Sequence, residues 1–133
     1  MHDELLHSVE RFVDAVNNGD APAALSHFAP DVVIVEDLPP YRWQGPDAGS
    51  AWLLAMHKNA EAAGLTSIVM RLESTIRVEV DADDAYAVFA GHLKYRGHAA
   101  ELHSRGCLVF TLRKAGAKWL IRSLIWGGPA ARP

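Results

Sequence analysis

Residues 84–126 read DAYAVFAGHLKYRGHAAELHSRGCLVFTLRKAGAKWLIRSLIW, and this stretch decides the fold. Runs at 84–95, 99–112 and 118–126 are rich in Val, Ile, Leu and aromatics. They are parted by Arg96-Gly97-His98 and Lys114-Ala115-Gly116-Ala117. That composition is typical of β-strands, and connections this short fit hairpins, so the strands pair antiparallel in sequence order. A fourth run at 66–80 joins them through Asp81-Ala82-Asp83. Such strands are long for a small domain. Long twisted strands curl, and a curled sheet covered by helices on one face encloses a cavity.

Upstream the period changes. Leu5, Leu6, Val9, Phe12, Val13 and Val16 recur at helical spacing and leave Glu10, Arg11 and Asp14 outside. Asn17-Asn18-Gly19 ends this helix, because Asn and Gly tolerate the left-handed conformation. Asp20 caps a second, short helix with Pro22 in its first turn, a buried face of Leu25 and Phe28, and a stop at Ala29-Pro30-Asp31. Val32 to Glu36 reads as a short strand, broken by Asp37-Leu38-Pro39-Pro40. Gly45-Pro46-Asp47 opens a third helix with Trp52, Leu53, Met56 and Ala60 on its apolar face, and Gly64 stops it. Helices early and strands late make an α+β domain covering residues 1–133.

The bulk numbers narrow the function classes. A chain of 133 residues with a formal charge of -3 and no Lys/Arg cluster offers nothing to nucleic acid. No run approaches the ~18 apolar residues of a membrane helix, and the polar start Met1-His2-Asp3-Glu4 is no signal peptide. A cytoplasmic protein is the default expectation. Cys107 is the single cysteine, lacks a nucleophile's local signature and reads as core. Nucleotide-binding glycine motifs and the Gly-x-Ser-x-Gly elbow are absent.

Asp37 is the best candidate for a polar group in the cavity, and two readings of it stand. If Val33 and Val35 face the core, strand parity points Asp37 inward and Glu36 outward. If the strand ends sooner, Asp37 caps the turn before Leu38-Pro39. Arg122 stands between Leu120 and Leu124. It either pairs with a carboxylate such as Asp37 or snorkels to water near a sheet edge. Among seven histidines none shows helical zinc spacing, and no metal site is expected. His92 and His103 lie on neighbouring predicted strands and can meet across the hairpin. Alternation leaves both faces of 118–126 largely apolar, and helices cover only one. A second copy on the outer face is the simplest cover, so a homodimer is expected.

The chain also resembles the nuclear-transport-factor-2-like superfamily, in its SnoaL-like and ketosteroid-isomerase-like branches. The resemblance is carried by residues 9–20 (VERFVDAVNNGD), by Phe28-Ala29-Pro30-Asp31-Val32 followed by Val35-Glu36-Asp37, by Gly45, by Tyr95-Arg96-Gly97 and by Lys118-Trp119-Leu120-Ile121. It implies a cone-shaped barrel, in which three helices pack on a strongly bent antiparallel sheet with a deep pocket, and dimers form through the outer sheet face. It implies that His92 and His103 face outward. It places Asp37 where ketosteroid isomerases hold their general base, while Phe12 replaces the tyrosine donor, and Gly106, Cys107 and Leu108 supply no acid for the second donor. Arg122 in the pocket would suit an epoxide-hydrolase-like arrangement. The expected protein is a cofactor-independent isomerase, cyclase or hydrolase for a small apolar, oxygen-bearing molecule. Asp37 and Arg122 would be its catalytic pair, with Phe12, Trp43, Met56, Phe89, Leu108, Leu124 and Trp126 as ligand-binding walls. The alternative is a domain of the same fold that binds an apolar ligand or dimerises without chemistry.

Overall fold

The computed structural model describes residues 2–133. Its elements run α1 (Asp3–Asn17), α2 (Ala21–Leu25), β1 (Phe28–Val35), β2 (Arg42–Gln44), α3 (Ala48–Ala62), β3 (Leu65–Asp81), β4 (Asp84–Gly97), β5 (Glu101–Ala115) and β6 (Lys118–Gly127). Six strands form one sheet in the order β2-β1-β6-β5-β4-β3. The four late strands pair antiparallel as hairpins, as expected. Two features differ from a closed antiparallel barrel. The chain leaves β2 through α3 and re-enters the sheet at its far edge, so β6 comes home beside β1 running the same way. The sheet is therefore mixed, and it stays open with β2 and β3 as edges.

The first helix forms for the reason its spacing gives. Leu5, Val9, Phe12 and Val13 are buried while Glu10, Arg11 and Asp14 are exposed. Gly19 takes the left-handed φ of 69° that turns the chain away. Asn17 does more than end the helix. Its amide donates to the Met70 carbonyl at 2.8 Å and accepts from the Met70 N–H at 2.9 Å, tying α1 to the edge strand β3. The Asp20 carboxylate accepts the Ala23 N–H at 3.2 Å, so it caps α2. That helix stops at Leu25, earlier than expected, and Phe28 already belongs to β1.

The core sits between the helices and the inner sheet face. Phe12 stacks on Trp52 at 6.2 Å and meets Phe28 and Phe110 edge-on at 5.2 and 6.4 Å. Gly49 of α3 presses on this cluster, for a Cβ there would stand 2.6 Å from the Phe28 ring. Bulges in β3 and β6 bend the sheet around the core. The β6 bulge leaves Arg122 without a partner residue, since Thr111 faces Ser123 and Leu112 faces Ile121. Alternation resets there, and Trp119, Ile121, Leu124 and Trp126 are all buried on the inner face.

Candidate functional site

A cavity of about 640 Å³ opens between α1, α3 and the inner face of the sheet. Its walls are mostly apolar. Phe12, Met56, Leu108, Leu124 and Trp126 line it, together with Trp52 and Leu93. Trp43 and Phe89 do not: both are buried in the core, Trp43 opposite Ile34 on β2 and Phe89 edge-on to Phe110.

The carboxylate in this cavity is Glu36, not Asp37. Val32 and Ile34 are the fully buried residues of β1, at 2% and 0% exposure. Parity then turns Glu36 inward, where it lines the cavity, and leaves Asp37 exposed in the turn. Both faces of this strand are apolar, so the pattern Val32-Val33-Ile34-Val35 fits either parity, and a one-residue shift swaps the faces. The reading of Asp37 as a turn residue is the one that describes its position.

Arg122 also lies away from the cavity. The bulge places it on the outer face, in a more open groove of about 720 Å³ that Asp31 and Asp84 share. Its guanidinium reaches Asp31 at 3.1 Å and Asp84 at 3.9 Å. The hydrogen bond from Arg122 holds the exposed Asp31 carboxyl below its usual range. Arg122 and Asp37 are therefore not brought together.

Glu36 is electrostatically unusual. One carboxylate oxygen is buried without a hydrogen-bond partner among the described residues. Burial pushes its pKa up to about 7, and the charge of Asp37 next to it adds to the rise. The Trp52 indole lies close enough to pull the other way, yet its N–H does not reach hydrogen-bonding geometry. Tyr95, on the same end of the sheet, is pushed up to about 12 by burial and by the charges of Asp37 and Glu36. The indole N–H groups of Trp52 and Trp126 are likewise buried without partners among the described residues.

Strand geometry leaves no room for an acid at Gly106, one of the three positions considered for the second acid donor of the resembled isomerases. A Cβ on Gly106 would stand 2.1 Å from the Gly127 carbonyl oxygen, because the end of β6 passes there. No side chain of any kind fits at that point. Cys107 is half-buried rather than core, since its neighbours Gly106 and Leu108 take the inner positions.

His92 and His103 do meet across the β4–β5 hairpin. Nε2 of His92 lies 2.8 Å from Nδ1 of His103, with the rings stacked at 5.0 Å. His103 Nε2 reaches Glu101 at 3.1 Å. Burial, helped by Arg105, lowers the pKa of His92. Among the described residues no group of three or more metal-ligating side chains forms, and no helix is long and apolar enough to cross a membrane.

An open, curled mixed sheet wrapped on three helices, with an apolar cavity between them, defines the α+β cone class of nuclear-transport-factor-2-like proteins. Within that class the chain belongs to the SnoaL-like domain family, whose sequence profile matches residues 9–120. Solved structures share the fold at low identity. A nuclear transport factor 2-like superfamily protein from Salmonella enterica serovar Typhimurium matches at a TM-score of 0.76 and 17% identity, over 96% of this chain and 90% of that one. A candidate scytalone dehydratase from Novosphingobium aromaticivorans matches at 0.77 and 13%, over 99% and 91%. A type 2 hexachlorocyclohexane dehydrochlorinase (LinA) matches at 0.77 and 10%, over 100% and 93%. No curated protein sequence matches the chain.

Proposed function

We propose that the cavity binds a small apolar, oxygen-bearing molecule and that Glu36 moves a proton on it, as in a cofactor-independent isomerase, cyclase or hydrolase. The observation that carries this reading is a buried carboxyl group inside an apolar cavity, with one oxygen that has no hydrogen-bond partner among the described residues. A group that titrates at about 7 is present both as acid and as base at neutral pH, which is where general acid–base catalysis works best. Glu36 thus takes the part expected of Asp37. Two fold relatives are named as a dehydratase and a dehydrochlorinase, reactions that also require a proton to move. The reading includes a homodimer through the outer sheet face.

The test is deuterium exchange into the carbons next to the carbonyl of apolar cyclic enones in D2O, followed by NMR. Wild type should accelerate exchange for at least one such ketone. Glu36→Gln should lose the acceleration, and Asp37→Asn should keep most of it. Equal exchange by wild type and Glu36→Gln would remove Glu36 from the chemistry.

One observation favours a second reading, a binding protein without turnover. Phe12 brings no hydroxyl, and Gly106 cannot carry an acid. In that case Glu36 only orients the ligand, and ligands raise the melting temperature with no exchange.

A further inference from the structure

Three residues lining the cavity each hold a buried polar atom that lacks a partner among the described residues: a Glu36 carboxylate oxygen and the indole nitrogens of Trp52 and Trp126. Ile34 pairs with Leu124 and Val35 with Ile125, so Glu36 and Trp126 each follow directly on the last paired residues of these parallel strands. Trp52 comes from α3 across the cavity, and its indole acts on the Glu36 carboxylate.

We propose that the indole N–H groups of Trp52 and Trp126 are the donors that set ligand specificity, selecting molecules that present a carbonyl oxygen on an apolar ring-sized body. This rests on reading the cavity as a ligand site. An indole can only donate, and a buried donor left unpaired costs about 1–3 kcal/mol. Both rings are at 4% exposure, in surroundings where phenylalanine would pack without that cost. Trp126 is also held in place. A Cβ on Gly91 would stand 3.2 Å from its Cζ3, and one on Gly128 would stand 3.0 Å from its Cζ2. The glycines leave room for the large ring on two sides.

Several other polar groups lining the cavity are already engaged. Asn17 is bound to the Met70 backbone, Thr66 to the Arg96 carbonyl and His57 to Glu61. The Ser50 and Ser67 hydroxyls also line the cavity, but at exposed or half-buried positions, so the two indoles are its buried N–H donors without partners among the described residues.

The test uses 2-acetylnaphthalene and 2-ethylnaphthalene, one body with a carbonyl or a methylene at the same place. Dissociation constants are measured by equilibrium dialysis for wild type, Trp52→Phe and Trp126→Phe. The readout is the ratio of hydrocarbon to ketone dissociation constants, compared between proteins so that the differing hydrophobicity of the two probes cancels. Loss of one hydrogen bond should lower that ratio about fivefold in each tryptophan variant. Proton exchange by Glu36→Gln tests the proposed chemistry and does not bear on this ratio, which keeps the two readings apart. If a phenylalanine variant fails to fold, benzothienylalanine at the same position removes the N–H and keeps the shape. A ratio unchanged within about twofold in both tryptophan positions overturns the inference and leaves the cavity reading standing. Failure of wild type to bind either probe overturns both.

Discussion

Burial in an apolar wall disfavours the ionised form of Glu36, and this has a consequence for stability that can be signed. The ordinary value is 4.5 and the folded value is about 7. Between those pH values the unfolded chain has lost its proton while the folded chain keeps it. The folded state is then favoured most below pH 4.5, loses ground as pH rises, and levels off above 7. Glu36→Gln removes that loss. The variant should match wild type near pH 4 and exceed it at pH 8 by up to about 3 kcal/mol. Urea titrations at the two pH values check this, and a stability difference independent of pH would contradict it. The same residue marks the limit of the sequence. That a carboxylate at the end of β1 matters was legible, but which one was not, because Val32 to Val35 is apolar on both faces. A cue did exist: Asp is a common turn residue and Glu is not, which favours Asp37 in the turn and Glu36 in the strand.

At the level of elements, period and turn chemistry sufficed for three helices and five of the six strands. What they could not show is where alternation breaks. The β6 bulge moves Arg122 to the outer face and returns Leu124 to the inner one, and nothing local to Leu120-Ile121-Arg122-Ser123-Leu124 announces it. Strand β2 is not legible in the sequence, because three residues shortly after two prolines carry no period. The tie between α1 and β3 depends on residues 53 apart in the chain, so no window of sequence contains it. That tie can be measured. Asn17→Ala deletes both hydrogen bonds to Met70 and leaves backbone groups of a bent edge strand without partners. The expected loss is about 1–3 kcal/mol of stability, with faster hydrogen exchange at the Met70 amide. Unchanged exchange at Met70 would show that the edge is held by packing alone.

At the scale of the molecule, the inner face of the sheet is covered and the outer face is not. Register aligns Val35, Ile125, Val109 and Val88 in one row across four strands. Beyond its ends lie Arg42, opposite Val35, and Arg77, opposite Val88. Ile125 is 37% exposed, so the row meets solvent in the single chain. The bulge therefore revises the argument from β6 without cancelling it: its outer face is less apolar than alternation implied, but the neighbouring strands restore an apolar strip. A strip of aliphatic residues with cations beyond both ends and acidic Asp31 and Asp84 alongside fits a second copy related by a two-fold axis, since each half then offers apolar, basic and acidic patches to its counterpart. Val109 is near the middle of the row, and stable interfaces bury about 1,600 Å² with charge kept from their centres. Light scattering during size-exclusion chromatography should therefore give twice the 14.5 kDa chain mass for wild type and the single-chain mass for Val109→Asp. Because Val109 faces away from the cavity, that variant should keep wild-type affinity for the acetylnaphthalene probe. A wild-type monomer at micromolar concentration would leave the strip without a partner of this kind.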